Sequence, residues 1–288
     1  MKILNKGIGV VGSTTIDKIV AGDQSYLKLG GVTTYAGITY RRHGIPAFIV
    51  SNLAERDVQV IKNLKTEKIK VFNAASDETT CFVNYIQGDR RNQELLQQAC
   101  PIEAEQIQAM IHRVDGLHLG PLHPLDIDPA ALGLLRNLNR PIFLDVQGYT
   151  RMVQNKKIYP SVSSHLTAGL ISAQVIKANG IEHQSILDFY QMNLTELMVR
   201  FKIDESVVTS GKNGGFVRTQ SGKTFHYAAN PVSSPVDSTG AGDVFFAAYI
   251  VSRFSCQMHI PDACRYAARI AAQQVEGKYI TINQLGLN

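Results

Sequence analysis

Residues 236–243 read Val-Asp-Ser-Thr-Gly-Ala-Gly-Asp, and an apolar run, Val-Phe-Phe-Ala-Ala-Tyr-Ile, follows at 244–250. The run is typical of a buried helix, and the small residues in front of it let the backbone pass close to a ligand. A helix begins with N–H groups that have no partner inside the helix and with the positive end of its dipole. Gly240, Ala241 and Gly242 are therefore predicted to bind a phosphate or a developing negative oxygen.

Asp243 falls in the first turn of the same predicted helix. A carboxylate beside an anion site could be the base that deprotonates a hydroxyl, which then attacks the bound phosphate. Alternatively, Asp243 only complements the positive end of the helix dipole. Position in the helix alone favours this second interpretation, so the choice depends on what the other segments bring to the site.

The composition is that of a globular protein with a large buried core. The chain has 288 residues, 44% of them apolar, and a formal net charge of +5, which suits one large α/β domain. No block of Lys and Arg predicts a nucleic-acid partner, and no apolar run is long enough to span a membrane. The cysteines lack metal-site or Cys-x-x-Cys spacing, so we expect reduced thiols and a cytoplasmic location. They are Cys81, Cys100, Cys256 and Cys264.

Beyond residue 102, predicted helices and strands alternate along the chain. Strands are predicted at 114–119, 141–146, 173–178 and 206–209, and helical segments at 103–112, 129–138, 186–201 and 260–276. This alternation predicts an α/β fold with a doubly wound, mostly parallel sheet and helices on both faces. Ligands of such sheets bind at the carboxyl ends of the strands, which is where Asp145, Asn179 and Gly211 fall.

Asn179-Gly-Ile-Glu182 directly follows one of these predicted strands. The spacing is that of a capping box, in which Asn179 caps a helix and Glu182 reaches back to it. A functional alternative is that Glu182 orders water around a Mg²⁺ that bridges nucleotide phosphates, since Mg²⁺ keeps its waters and prefers oxygen ligands. Both interpretations fit the sequence.

The N-terminal segment contains a dinucleotide-like pattern and two candidate substrate contacts. Residues 7–12 spell Gly-x-Gly-x-x-Gly, which would suit an NAD-dependent oxidoreductase if a helix opened on the last glycine. The apolar residues lie inside the motif, so the preferred prediction is a strand that leads to Asp17. Asp17 itself is predicted to be either a contact to sugar hydroxyls or a surface turn residue. Gly30 and Gly31 precede a helical stretch and indicate either a close approach to substrate or a simple turn.

A small β lid is predicted outside the main sheet. Residues 68–72 and 79–86 alternate in polarity and are rich in β-branched and aromatic residues, and a turn follows at 88–91. Together with the first strands of the chain, these segments predict a lid built from about residues 14–29 and 68–95. Because exposed strands need cover, the lid also suggests a homodimer in which two lids pair.

Taken in order, six pieces of the sequence resemble the ribokinase/PfkB family of carbohydrate kinases. They are Asp17 after the first strand, Gly30-Gly31, Asp145 in Leu-Asp-Val-Gln-Gly, Asn179-x-x-Glu182, Thr209-x-Gly211 and the stretch 237–243. The matches run through almost the whole chain and imply a single ribokinase-like kinase domain over residues 1–288. The resemblance also implies an ATP-dependent phosphotransferase that acts on a hydroxyl of a small sugar, polyol or nucleoside.

The same resemblance implies a role for each matching residue. Asp243 is the base, and the anion hole is formed by Gly240, Ala241 and Gly242. Substrate contacts are implied for Asp17, Gly30, Gly31, Tyr35 and Arg151. Nucleotide contacts are implied for Asn179, Thr209, Gly211, Lys212 and Gly214, and Mg²⁺ binding for Glu182 with Asn179. The implied cofactors are ATP and Mg²⁺, with a monovalent cation as a further candidate.

The phosphoryl acceptor is left open by the sequence. Tyr35 stands where the family often has an Asn that touches the sugar. The segment 145–151, Asp-Val-Gln-Gly-Tyr-Thr-Arg, is similar to the branch that includes plant-type myo-inositol kinases, although any other polyol, sugar or nucleoside would also fit. A non-catalytic sugar or nucleotide binder on the same fold is the alternative function, and the intact Asp243 and Glu182 argue against it.

Overall fold

The structure is a computed structural model, and it describes residues 4–87, 90–136 and 138–287. The Gly88–Asp89 part of the expected turn lies outside these residues. The strands are β1 (Ile8–Val11), β2 (Thr15–Ala21), β3 (Gln24–Gly30), β4 (Ala47–Val50), β5 (Leu53–Ala54), β6 (Lys70–Phe72), β7 (Ala75–Ser76), β8 (Cys81–Gln87), β9 (Arg90–Gln97), β10 (Gly116–Leu119), β11 (Ile142–Asp145), β12 (Arg151–Gln154), β13 (Lys157–Pro160), β14 (Val175–Asn179), β15 (Glu205–Thr209), β16 (Gly215–Thr219) and β17 (Thr224–Tyr227). The α-helices are α1 (Val32–Arg42), α2 (Val58–Thr66), α3 (Ala104–Ile111), α4 (Pro129–Leu135), α5 (Leu166–Ser172), α6 (Gly180–Tyr190), α7 (Leu194–Phe201), α8 (Ala241–Ile250), α9 (Ile260–Val275) and α10 (Ile282–Leu285).

In the part of the chain that the structure describes, nine strands form the main sheet, in the order β17-β16-β15-β14-β11-β10-β1-β4-β6. The pairs from β15 through β6 are parallel, and β16 and β17 add an antiparallel hairpin at one edge. Every residue of β1 is buried. Strands that are covered on both faces need continuous apolar sequence, and Ile-Gly-Val-Val provides it.

Helices cover both faces of the main sheet. The buried residues of α1, α2, α8 and α9 share one hydrophobic core with one face, and those of α3 to α7 form a second core with the other. Because a sheet with two apolar faces must bury both, this layered arrangement follows from the apolar strands. The predicted α/β fold, a doubly wound and mostly parallel sheet with helices on both faces, is confirmed.

The lid is a separate sheet with the strand order β12-β13-β9-β8-β2-β3. Its composition differs from the expected 14–29 and 68–95 in three ways. β7 pairs with β5 in a separate two-stranded sheet. β6 pairs in parallel with β4 at the edge of the main sheet. The sequence did not distinguish this position from one in the lid, because a half-exposed edge strand alternates in polarity just as a lid strand does. The hairpin of β12 and β13, which the sequence did not indicate, joins the lid beside β9.

The expected helical segment at 186–201 is two helices. α6 ends where Gln191 adopts a left-handed conformation with φ 51°, and Asn193 then caps α7 with Glu196 completing its capping box. The described helices include none with the length and apolar character needed to cross a membrane.

Candidate active site

The start of α8 is the accessible end of an otherwise buried helix. Gly240 caps it in the left-handed region with φ 75°. Residues 241–243 are partly exposed, whereas the residues of 244–250 are all buried. The apolar run therefore anchors the helix in the core and leaves its first turn at the surface, where N–H groups can meet an anion. The Ala241 N–H donates a 3.2 Å hydrogen bond to the Ser238 carbonyl.

Tyr35 of α1 explains why residue 240 is a glycine. A Cβ built on Gly240 would lie 2.4 Å from a ring carbon of Tyr35, closer than any real contact. Tyr35 is 1% exposed, so its ring packs beneath the anion site. Its contact with substrate stays a prediction, and its close packing on Gly240 is an additional role.

A buried lysine that the sequence analysis did not single out lies under the anion site. Lys177 of β14 donates a 2.7 Å hydrogen bond from Nζ to Oδ2 of Asp145, its register partner at the end of β11. A Cβ built on Gly242 would lie 3.3 Å from that Nζ, so the first turn of α8 passes directly over the ion pair. The available sequence signal was a lysine inside the buried strand Val-Ile-Lys-Ala-Asn.

The charges around Lys177 keep it protonated. Burial lowers the pKa of the ammonium, but the carboxylates of Asp145, Glu182 and Asp243 outweigh burial and raise the pKa above its usual value. The site therefore brings together a fixed positive charge, three carboxylates and the N–H groups of a helix start. Such an arrangement can hold the negative charge of a phosphoryl group, with a carboxylate beside it to accept a proton.

The capping box predicted for Asn179 and Glu182 is present. Asn179 Oδ1 accepts hydrogen bonds of 2.9 Å from the backbone N–H groups of Ile181 and Glu182, and Glu182 Oε2 accepts one of 2.8 Å from the Asn179 N–H. The box orients the Glu182 side chain next to Lys177. The capping-box interpretation is therefore confirmed. The Mg²⁺ role of Glu182 stays a prediction, for which the box leaves Oε1 available.

The remaining oxygen of Glu182 fits a hydrated Mg²⁺. Glu182 is 8% exposed; burial raises the pKa of its carboxyl, and Asp145 adds to this, whereas Lys177 and Arg151 oppose it. Mg²⁺ usually keeps several waters and takes one or two carboxylates together with phosphate oxygens. Among the described residues, no group of three or more His, Cys, Asp or Glu is arranged as a metal cage.

The two glycines at the start of α1 are required by close contacts. A Cβ on Gly30 would lie 2.5 Å from Oδ2 of Asp17, and one on Gly31 would lie 2.2 Å from the Ser13 carbonyl oxygen. Gly31 also has φ 88°, in the region that favours glycine. The structure thus brings Asp17, Gly30 and Gly31 together, and their contacts with substrate stay predictions.

The predicted nucleotide loop follows β15. Thr209 ends the strand, Gly211 has φ 55°, and Gly214 has φ 79°. The Ser210 N–H donates a 2.7 Å hydrogen bond to the Gly214 carbonyl, which closes the loop around an exposed Lys212. Thr209 is the register partner of Asn179, so this loop starts beside the Asn179–Glu182 capping box.

Arg151 lies at the first residue of β12 in the lid. Its Nη1 donates a 3.4 Å hydrogen bond to the carbonyl of Leu122. Its positive charge lowers the pKa of His123 in the same direction as burial, the largest cause there, and lowers the pKa of Glu182 against burial, which dominates and raises it. The residue therefore connects the lid electrostatically with the Glu182 end of the site. Whether it touches substrate stays a prediction.

Asp126 is a second group that the sequence analysis missed. Its Oδ1 accepts a 2.6 Å hydrogen bond from the Ser13 hydroxyl, and its Oδ2 accepts from the N–H groups of Ser13 and Leu122 at 3.2 and 2.8 Å. The carboxylate thus ties the turn after β1 to the loop after β10. No sequence pattern marked it, because Ser13 is 113 residues away in the sequence, and only Leu122, four residues before Asp126, is a local partner.

The Gly-x-Gly-x-x-Gly pattern does not have the geometry of a dinucleotide site. β1 lies inside the motif, and the chain passes from Gly12 through Ser13 and Thr14 into β2. A dinucleotide site needs a helix that opens on the last glycine. Residues 7–12 instead provide a central strand of the sheet.

Comparison with known proteins identifies the family. The family model described as pfkB family carbohydrate kinase matches residues 42–284. The chain belongs to the PfkB family of carbohydrate kinases. As a PfkB kinase it is a phosphotransferase with an alcohol group as acceptor, as the sequence predicted. No curated protein matches the sequence significantly.

Solved structures of ribokinase-family kinases share the fold of this PfkB kinase over nearly the whole chain. A sulfate complex of a pyrophosphate-dependent kinase is 20% identical, with a TM-score of 0.81 over 93% of this chain and 95% of that one. A complex of a pyrophosphate-dependent kinase with a pyrophosphate analogue and myo-inositol is 18% identical, with a TM-score of 0.82 over 96% and 97%. A ribokinase from Arabidopsis thaliana with ribose and ATP is 17% identical, with a TM-score of 0.74 over 98% and 96%.

Proposed function

We propose that this PfkB kinase transfers the terminal phosphoryl group of ATP to a hydroxyl of a small sugar, polyol or nucleoside. The observation that carries the proposal is the position of Lys177 directly beneath Gly242, next to the Asp243 carboxylate. A buried ammonium, a helix start and a carboxylate are thereby concentrated at one point. That combination serves phosphoryl transfer, which depends mainly on positioning and on electrostatic stabilisation.

In this mechanism, Asp243 accepts the proton of the acceptor hydroxyl as the oxygen attacks phosphorus. The N–H groups of Gly240 and Gly242 donate hydrogen bonds to the oxygens of the transferring group, where negative charge develops. The Ala241 N–H joins them by releasing its 3.2 Å hydrogen bond to the Ser238 carbonyl. Lys177 supplies a compensating positive charge from below. Glu182 would hold a hydrated Mg²⁺, which neutralises phosphate charge when it is bound. Asp145 keeps the Lys177 ammonium in place by its 2.7 Å hydrogen bond.

ATP is the proposed donor because a glycine-rich loop lies beside the phosphate site. Gly211 and Gly214 have positive φ values of 55° and 79°, and residues 210–213 between strand and hairpin are exposed to a ligand. Asn179 and Thr209 lie at the base of this loop. The similar Arabidopsis thaliana ribokinase was solved with ATP, and two similar structures are of pyrophosphate-dependent kinases, so pyrophosphate is the alternative donor to compare.

The proposed acceptor is polyhydroxylated and neutral. Asp17 is 4% exposed and lies with Gly30 and Gly31 at the junction of the lid and α1. A buried carboxylate can accept two hydroxyl hydrogen bonds, a geometry typical of vicinal diols. Similar structures bind myo-inositol, ribose and inosine, and all three molecules carry such diols.

A two-way screen tests this function. The purified protein is incubated with Mg²⁺ and either ATP or pyrophosphate, against a panel of inositols, pentoses, hexoses and nucleosides, and phosphorylated product is measured directly by mass spectrometry. We expect one acceptor class to give product with ATP. Product with pyrophosphate alone would overturn the donor assignment, and tight acceptor binding without product from either donor would favour the non-catalytic binder.

The partner proposal is a homodimer formed through the lid. The register of the lid strands places Leu27, Tyr85, Met152 and Tyr159 on one face, and they are 37–49% exposed. Exposed apolar side chains on an open sheet need cover, and a second copy offers the same surface. Leu27→Asp is expected to halve the mass measured by light scattering, whereas Ile181→Asp, at a 70% exposed helix position, leaves it unchanged. A wild-type protein that is monomeric at micromolar concentration would contradict the dimer.

The proposed location is the cytoplasm. All four cysteines are free thiols in the structure, two of them buried, which suits a reducing compartment. Fractionation of cells that express the protein, followed by immunoblotting, tests the location; recovery in the membrane or secreted fraction would contradict it.

A further inference from the structure

Lys28 is a lysine with no exposed surface. It lies in lid strand β3, it is 0% exposed, and its ammonium forms an ion pair with Oδ2 of Asp237. Lysine is almost never fully buried unless its charge is paired, because removing an ammonium from water is costly. The Lys28–Asp237 ion pair is therefore not an ordinary surface ion pair, and its position in the fold has to account for it.

Asp237 connects this ammonium to the anion site. Its Oδ1 accepts a 2.8 Å hydrogen bond from the Thr239 N–H, and its own N–H donates to the Val275 carbonyl at 3.2 Å. Burial raises the pKa of the carboxyl, but the charge and hydrogen bond of Lys28 and the bonds from Thr239 outweigh burial and lower the pKa. An ionised carboxylate thus holds the turn that ends at Gly240.

Lys28 also belongs to the acceptor side of the molecule. Asp17 of β2 and Lys28 of β3 are directly opposed in the antiparallel ladder, so both side chains leave the same face of the lid sheet. The backbone of Lys28 forms an isolated bridge with Gly286 near the C-terminus. The β2–β3 pair therefore carries both Asp17, the predicted acceptor contact, and Lys28, whose ammonium pairs with Asp237 in the turn before the anion site.

We infer that Lys28 is a positioning residue whose ammonium acts as a built-in monovalent cation for the turn that leads into the Gly240–Gly242 anion site. With this charge in place, the Asp237 carboxylate keeps the turn closed and the first-turn N–H groups of α8 aimed at the phosphoryl group. The inference rests on the proposed kinase function. Its direct consequence is that the wild-type enzyme does not need K⁺ or another small monovalent cation for turnover.

Two substitutions separate positioning by charge from simple packing. Lys28→Ala leaves an ionised carboxylate and a space in which K⁺, NH₄⁺ or methylammonium fits. Lys28→Met fills the space without a charge. Lys62→Ala is the matched control, because Lys62 is an exposed lysine of α2, outside the lid sheet.

Turnover is measured for each protein in a buffer whose only cation besides Mg²⁺ is bulky, and then with K⁺, NH₄⁺ or methylammonium added. In the bulky-cation buffer, we expect kcat/KM for the donor to fall by about tenfold or more in both Lys28 variants, since a misplacement of 1 Å can cost about 10²-fold. Small cations should restore Lys28→Ala but not Lys28→Met, and should leave the wild type and Lys62→Ala unchanged. The inference is overturned if the wild type itself requires K⁺, if Lys28→Ala keeps full turnover without small cations, or if both Lys28 variants respond alike.

Donor binding provides a readout that does not depend on finding the acceptor. Calorimetric titration of the donor into wild type and Lys28→Ala should show weaker binding in the variant and recovery with K⁺. If the kinase screen fails but this cation-dependent recovery is observed, the proposed function is wrong and the role of Lys28 at the anion site stands. If turnover is found and donor binding by Lys28→Ala equals that of the wild type with and without K⁺, the positioning role is wrong and the kinase function stands.

Discussion

The Lys177 ammonium donates a 2.7 Å hydrogen bond to the Asp145 carboxylate at a point directly below Gly242. Two neighbouring strands of the main sheet hold the pair, and the first turn of α8 passes over it. The positive charge is thus fixed by the sheet rather than carried on a mobile loop. A fixed charge needs no reorganisation when negative charge develops on a bound phosphoryl group.

Replacement of Lys177 by Met is therefore expected to weaken donor binding. A hydrogen bond to a charged group is worth about 1.5–3 kcal/mol, which corresponds to a rise in the donor Kd of about 10- to 100-fold. Calorimetric titration measures the donor Kd, and circular dichroism verifies that the variant is folded. Lys62→Met is the control, because Lys62 lies on the exposed side of α2. An unchanged donor Kd in Lys177→Met would remove this residue from the mechanism.

Gly240→Ala is expected to reduce turnover by about 10² or more, the effect of losing one oxyanion donor. The methyl group would meet the Tyr35 ring at 2.4 Å, and φ 75° disfavours alanine. Gly133→Ala in α4 is the matched control, because nothing lies within 4 Å of its Cβ and alanine favours a helix. Steady-state kinetics compare the two, and equal activity of both variants would show that the turn tolerates a side chain.

Stability is expected to fall as the pH drops from 6.5 towards 4, partly through His118. Burial lowers the pKa of His118 from 6.5 to about 4, with Lys177 acting in the same direction and Asp145 opposing it. Because the folded pKa is depressed, this contribution is fully present above pH 6.5 and is lost as the pH falls through the folded pKa. The difference corresponds to a loss on the order of 3 kcal/mol.

Urea unfolding of the wild type and His118→Gln across this pH range checks the effect. The variant should have a shallower dependence of unfolding free energy on pH, since glutamine does not titrate. His112→Gln, at an exposed position, should keep the wild-type dependence. Identical slopes for the wild type and His118→Gln would assign the acid sensitivity to other groups.

The main sheet was predictable because its strands are buried on both faces. β10, β11, β14 and β15 are buried along almost their whole length and each contains apolar residues, and each lies within about two residues of its predicted position. β6 was misplaced in the lid because three alternating residues do not distinguish an edge strand from a lid strand. β12 and β13 have only four residues each, mix polar and apolar side chains and are partly or fully exposed at every position, so their pairing with β9 left no clear periodic signal.

The site was predictable where its chemistry is local in sequence. The stretch 237–243 and the Asn179–Glu182 capping box each contain their own partners, so spacing alone indicates their geometry. The two lysines were missed because their partners are distant, 32 residues away for Lys177 and 209 for Lys28. A lysine within a strand gives no indication of whether it meets solvent or a buried carboxylate until the fold places it.

The measurement that tests the central claim most directly is turnover by Asp243→Asn, with the donor and acceptor that the screen identifies. Asparagine keeps the size of the side chain but cannot accept the proton, and general base catalysis contributes about 10²–10⁴-fold. We predict that kcat falls by about 10² or more while the donor Kd stays within about threefold of wild type. Near-normal kcat in Asp243→Asn would contradict the assignment of Asp243 as the base.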